Sequence, residues 1–152
     1  IIDTNFSNND LTIEMDAFPS LEKLSYDISN PESIHEQVKA NAKELKDRNI
    51  FIIGCQGGDY TRSEILPKEN ILAHLKDLSN DFDYIFLEGP PLNDFSDAKE
   101  LSAYAEGVIG VFSANDMIKQ IDKESISYFK TLGDKYIGSI LNMIDLENIN
   151  TA

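Results

Sequence analysis

The 152-residue sequence has no tryptophan, a single cysteine (Cys55) and two histidines (His35 and His74). One thiol excludes an internal disulfide framework and any zinc site built from clustered cysteines. With two histidines far apart, the metal chemistry left open is oxygen ligation of the kind Mg²⁺ prefers. Basic residues are also scarce: 13 Lys and Arg stand against 27 Asp and Glu, a formal net charge of −14. Such a surface repels phosphate backbones and anionic lipid, which argues against nucleic acid or a bare membrane surface as the partner. No apolar run approaches the roughly 20 residues that span a bilayer, and no signal peptide is visible. An initial methionine is missing as well. The chain opens on Ile1 inside an apolar run, which raises the expectation of a segment upstream.

What is present reads as an ordinary globular domain, 41% hydrophobic and 26% charged. Short apolar runs alternate with amphipathic stretches, the pattern of a parallel α/β sheet. Strands are expected at Ile1–Asp3, Ile50–Cys55, Tyr84–Glu88, Gly107–Phe112 and Tyr136–Met143. Helices are expected over Pro31–Arg48, where Ile34, Val38, Ala42 and Leu45 share a face and Asn30 is placed to cap, and over Glu69–Leu78, Asp97–Tyr104 and Lys119–Leu132. Gly133 is a natural stop for the last helix. The polar stretch between Phe6 and Asn30 reads as an excursion with a short helix or turns. Residues 1–147 are expected to form one domain, with 148–152 a frayed tail.

Open parallel sheets bind ligands beyond the carboxyl ends of their strands. Those ends carry Asp3, Gly54 to Gly58, Glu88 followed by Gly89-Pro90-Pro91, Ser113 to Asp116, and Asn142. Asp3 and Glu88 are the notable pair, because an unpartnered carboxylate at the end of an apolar strand is costly. Either each caps the loop that follows, or the two meet over a shared Mg²⁺ ion. Asn142 likewise either caps its strand-end loop or faces a ligand. Cys55 reads as a small buried residue, His35 and His74 as solvent-facing, and Gln56-Gly57-Gly58 as a flexible loop after a strand. The acidic Glu14, Asp16, Glu22, Asp27 and Glu32 read as a solvated face.

Residues 81–98, DFDYIFLEGPPLNDFSDA, resemble the Walker B segment of the bacterial tyrosine kinases of exopolysaccharide and capsule assembly, in the MinD/ParA-like branch of P-loop ATPases. In that family an apolar strand ends in Asp, Thr or Ser, then Pro-Pro, with Asp-Ala several residues on. Pro90-Pro91 and Asp97-Ala98 match, while Glu88 replaces the Asp and Gly89 the Thr or Ser. The opening Ile1 to Ser7 resembles the family's second motif, a strand ending Asp-x-Asp-x-Arg: Asp3 matches, Asn5 replaces the second Asp, and Ser7 replaces the Arg. AEGVIGVFSANDMIK (105–119) and GSILNMID (138–145) resemble its later strands, and Thr61 to Leu66 its Asn-Pro-x-Glu-Leu-Leu segment.

The resemblance implies a three-layer αβα fold of the P-loop NTPase kind, lacking its first strand. It implies ATP and Mg²⁺ as cofactors of the intact protein, with Asp3 and Glu88 as catalytic and metal-site acids and Asn142 at the adenine. It further implies a membrane partner that determines polysaccharide chain length, a possible homo-oligomer, and a place at the cytoplasmic face of the inner membrane. The phosphate-cradling G-x-x-x-x-G-K-[ST] occurs nowhere in this chain, nor does a C-terminal tyrosine cluster. Two functions follow as expectations: an ATPase or tyrosine-kinase-like domain that is inactive as this stretch of chain, or a non-catalytic, pseudokinase-like module of the same machinery. A partitioning ATPase of the same branch is a third, disfavoured by Pro90-Pro91.

Overall fold

A computed structural model describes residues 1–145 apart from 47, 59, 68–69 and 94–96. The expected tail at 148–152 lies outside the described residues, as does the expected start of a helix at Glu69. The chain divides into two compact units, Ile1–Tyr104 and the part from Ala105 onward, and each is taken by itself.

In the first unit, β1 (Ile2–Asp3) pairs in parallel with β4 (Leu87–Glu88), and β2 (Lys43–Leu45) pairs antiparallel with β3 (Ile50–Ile52). Ile53, just past β3, bridges Ile2 in parallel, with the Asp3 N–H donating to the Ile53 carbonyl at 2.9 Å. The backbone order is therefore β2, β3, β1, β4, with β1 flanked on both sides. Around it pack α1 (Asp10–Glu14), α2 (Ser33–Asn41), α3 (Arg62–Ile65), α4 (Asp97–Leu101), and 3₁₀ turns at Leu21–Lys23 and Ile71–Asn80. The core is Ile2, Phe6, Leu21, Leu24, Ile34, Val38, Ile53, Cys55, Ile71, Leu72, Leu78 and Leu101. Along the fourth strand region the period-two rule holds: Ile85 and Leu87 pack on the core, while Tyr84 is 80% exposed and Phe86 56%.

The expected helix over Pro31–Arg48 is corrected at both ends. It begins at Ser33 with Glu32 at the N-cap, so Asn30 does not cap it, and it ends at Asn41. Helical spacing at Leu45 loses to strand pairing: Ala42 turns extended, and Lys43 to Leu45 line the edge of β3. Asn49 supplies the hairpin turn at φ 49°, a left-handed conformation that asparagine tolerates better than most residues. The expected helix to Leu78 is instead a 3₁₀ stretch broken at His74 (φ −122°), and the one over Asp97–Tyr104 closes at Leu101.

The second unit is a parallel pair, β5 (Val108–Ser113) and β6 (Tyr136–Asn142), with α5 (Gln120–Thr131) between them in sequence. Phe129 of α5 stacks on Tyr136 and meets Phe112 edge-on, which fixes the helix to one face of the pair. Gly133 at φ 56° follows the helix, as expected of a glycine stop. Among the described residues no helix is long and apolar enough to cross a membrane.

Candidate functional site

The parallel register sets Asp3 opposite Glu88, so the first and fourth strands end together in a pair of carboxyl groups. Thr4 ties the two strand ends further: its N–H and its hydroxyl both donate to the Glu88 carbonyl, at 2.9 and 2.6 Å. Asp3 has no solvent exposure, and a buried carboxylate survives only where donors replace water. Three do. Asp3 Oδ1 accepts from the Asn5 N–H at 3.0 Å, and Oδ2 accepts from the Thr12 N–H at 3.0 Å and the Thr12 hydroxyl at 2.5 Å. The Thr12 oxygen in turn accepts from the Cys55 N–H at 3.0 Å.

Glu88 is half-buried and its carboxyl is pushed up to about 7. Burial is the main cause; the Asp3 charge and a hydrogen bond with Asp3 follow, Asp10 adds to them, and a hydrogen bond from Asn5 pulls the other way. Near neutral pH Glu88 therefore holds a proton part of the time.

Asn5 and Ser7, the positions where the family motif carries Asp and Arg, serve the loop after the first strand. Asn5 Oδ1 accepts from the Ser7 hydroxyl at 3.0 Å and the Asn8 N–H at 3.2 Å, an Asx-type turn that sends the chain back toward α1. The arrangement can be tested against the Mg²⁺ that the resemblance implies. Each Asp3 oxygen accepts from the chain's own donors, one bond at Oδ1 and two at Oδ2, and among the described residues no three His, Cys, Asp or Glu side chains gather. Asp3 and Glu88 are the two facing carboxyl groups that would hold a Mg²⁺ ion there, which takes one or two carboxylates together with waters.

Asn142 closes β6 in the second unit, exposed, with its Oδ1 accepting from the Met143 N–H at 2.8 Å. That bond holds Met143 at φ 58°, the strand-end cap that was one of the two readings of this residue.

The remaining candidates fall into place locally. Cys55 is fully buried, and burial together with the Asp3 charge pushes its thiol up, away from nucleophilic use. The glycine loop after β3 makes specific contacts. The Gln56 N–H donates to Glu22 at 2.5 Å, the Gly58 N–H to the Phe6 carbonyl at 2.9 Å, and a Cβ on Gly57 would meet Asn9 Oδ1 at 2.2 Å. Neither histidine is free in solvent: His35 Nδ1 meets Asp81, and the His74 ring stacks on Tyr26 at 3.4 Å. Thr61 and Leu66 flank α3 as its caps, with Thr61 and Glu64 as its capping box, and Arg62 reaches Tyr104 and Glu100 at 2.8 Å each. Asp97, buried, accepts from the Arg62 N–H. The residue that sequence reading missed is Thr12. Nothing in its spacing from Asp3 marks it, because the contact exists only once the Asn5 turn brings α1 back.

No protein-family model matches the chain. In sequence it is 22% identical over 105 residues to the candidate tyrosine-protein kinase CapB of Staphylococcus aureus, covering 69% of this chain. The chain spans about half of that relative, 46% of its length. In structure it is similar to the crystal structure of the VpsO kinase domain, with a TM-score of 0.69, 19% identity, and coverage of 95% of this chain and 69% of the other. The α/β fold with parallel strand pairs is similar to the fold of that domain. Sequence and fold thus agree in a likeness to bacterial tyrosine kinase domains of capsule and exopolysaccharide assembly, at low identity.

Proposed function

We propose that the chain is a kinase-like module of capsule or exopolysaccharide assembly that acts without transferring phosphate, through contact with a membrane partner at the cytoplasmic face. The observation that carries this reading is the fate of the second motif. Asp3, Asn5 and Ser7 spend their side chains on each other's loop and on Thr12, where a catalytic site would leave them facing nucleotide. A net charge of −14 adds repulsion toward a triphosphate. Pro90-Pro91 supports kinase-like over partitioning ancestry within the same branch.

The enzyme reading has one observation in its favour, the meeting of Asp3 and Glu88 at adjacent strand ends where α/β sheets bind ligands. A phosphoryl-transfer assay separates the two. With γ-labelled ATP, Mg²⁺ and a tyrosine copolymer, the chain is expected to give no label above a protein-free blank, in itself or in the copolymer. Label that depends on both the chain and Mg²⁺ contradicts the proposal.

A further inference from the structure

Arg62 lies apart from the strand-end acids, in α3, and its guanidinium is held from two sides. Nη1 donates to the Tyr104 hydroxyl and Nη2 to Glu100 Oε2, and the guanidinium carbon lies 5.3 Å from the centre of the Tyr104 ring. The side chain is 19% exposed. Its Nε–H, by contrast, is closed to water and meets no acceptor. Among the described residues it is the one buried side-chain polar atom left so. The same residue forms part of the wall of a cavity of about 180 Å³, completed by Ser63, Leu66, Pro67 and Asn70.

We infer that this cavity is a binding site for an uncharged amide of the kind a peptide segment presents, with the Arg62 Nε–H donating to the amide carbonyl. The site is separate from Asp3 and Glu88 and from the function proposed on them. It stands whether or not the chain transfers phosphate.

The charges around the cavity select against ions. Arg62 repels a cation, while an anion would share the guanidinium with Glu100, which already pairs with it, and would meet Asp97, whose Oδ2 accepts from the Arg62 N–H at 3.1 Å. A neutral acceptor meets neither conflict. A buried donor without an acceptor carries its desolvation cost unrelieved, so an incoming carbonyl gains more there than at a solvated donor. The wall also supplies the complementary group. Thr61 spends its hydroxyl proton on Glu64 Oε2 at 2.8 Å, so in its 3.2 Å contact with Ser63 the serine donates, and the Ser63 oxygen keeps its lone pairs for an N–H. One donor and one acceptor beside the apolar Leu66 and Pro67 match an amide with an aliphatic neighbour. Asn70 holds its side of the cavity in place, its Nδ2 donating to the Pro67 carbonyl at 2.9 Å and its Oδ1 accepting from the Leu72 N–H at 3.1 Å.

The sequence has two arginines, Arg48 and Arg62, so ¹⁵N-arginine labelling of the chain gives two Nε–H signals, with the exposed Arg48 as internal control. Titration with N-acetyl-alanine methylamide, which carries two neutral amides, is expected to move the Arg62 signal along a saturable curve and to leave Arg48 in place. For a probe of this size the dissociation constant is expected at about 1–10 mM. Sodium acetate at matched ionic strength is expected to bind about tenfold more weakly, because it brings a charge toward Glu100 and Asp97. Ser63→Ala, at an exposed position, is expected to weaken amide binding by about fivefold, the loss of one hydrogen bond. Arg62→Lys keeps the charge but has no Nε–H; followed through the Ser63 and Leu66 main-chain amides, it is expected to lose the saturable shift. Should Arg62→Lys not fold by circular dichroism, Ser63→Ala and the contrast with acetate decide the matter. Acetate binding as tightly as the amide, no saturable shift with either probe, as for a donor met by buried water only, undiminished affinity in Ser63→Ala, or a folded Arg62→Lys that binds like the wild type overturns the inference.

Discussion

At the scale of single residues, Glu88 is where chemistry and stability meet. Its carboxyl lies at about 7 in the folded chain against an ordinary 4.5, raised first by burial and then by Asp3. A carboxyl raised on folding holds its proton more tightly folded than unfolded, so its contribution is fully present below about pH 4.5 and is lost as pH rises through 7. The exposed Asp16, Glu64 and Asp81, lowered by Lys43, Thr61 and His35 respectively, work in the opposite sense, losing their contribution as pH falls into the acid range. Glu88→Gln mimics the protonated form. Thermal melts should therefore show the variant more stable than the wild type at pH 8, with the difference closing toward pH 4.5. A difference that does not change with pH would place the charge conflict elsewhere. That Asp3 and Glu88 end apolar strands was legible from the sequence, which left open whether they meet or each caps its own loop; that Asp3 accepts from Asn5 and Thr12 was not, because its donors come from a turn and a helix whose return path no periodicity encodes.

At the scale of elements, the instructive departure is the stretch from Lys43 to Ile52. Ile34, Val38 and Ala42 keep helical phase, and Leu45 continues it on paper, yet β2 forms because the edge of β3 offers a ladder of backbone partners. Lys43 adds an anchor, its ammonium donating to the Asp16 carbonyl at 2.8 Å and carboxylate at 2.9 Å. The turn depends on Asn49 at φ 49°. Asn49→Val forces a β-branched residue into that region and should cost about 1–2 kcal/mol in chemical denaturation, while Asn49→Gly should cost little. Equal losses for both would mean that the turn conformation does not carry the hairpin. The same logic explains which helices were legible. α5 came out near its expected bounds because its stop, Gly133, is a local signal. The 3₁₀ stretch Ile71–Asn80 did not, because its course answers to contacts with distant residues, such as the stacking of Tyr26 on His74.

At the scale of the whole chain, the order of strands and motifs carried the fold. Apolar runs at the starts of β1, β3, β4, β5 and β6 were visible by composition, and their sequence order is what the likeness to a kinase domain rests on. Function was less legible, because the departures from the family pattern fall on the positions that would do chemistry, Asn5, Ser7 and Glu88. The structure gives two of those departures employment: Asn5 builds the turn and also bonds to Glu88, and Ser7 braces Asn5. Substitutions that a motif comparison registers only as losses are thus mutually consistent in the folded loop.

The central proposal is that this chain, with Asp3 held by its own loop, takes up no Mg-nucleotide. Calorimetric titration of the chain with Mg-ATP tests it most directly. The account predicts no saturable heat, meaning a dissociation constant weaker than about 1 mM. A saturable isotherm at micromolar concentration that disappears without Mg²⁺ would contradict it.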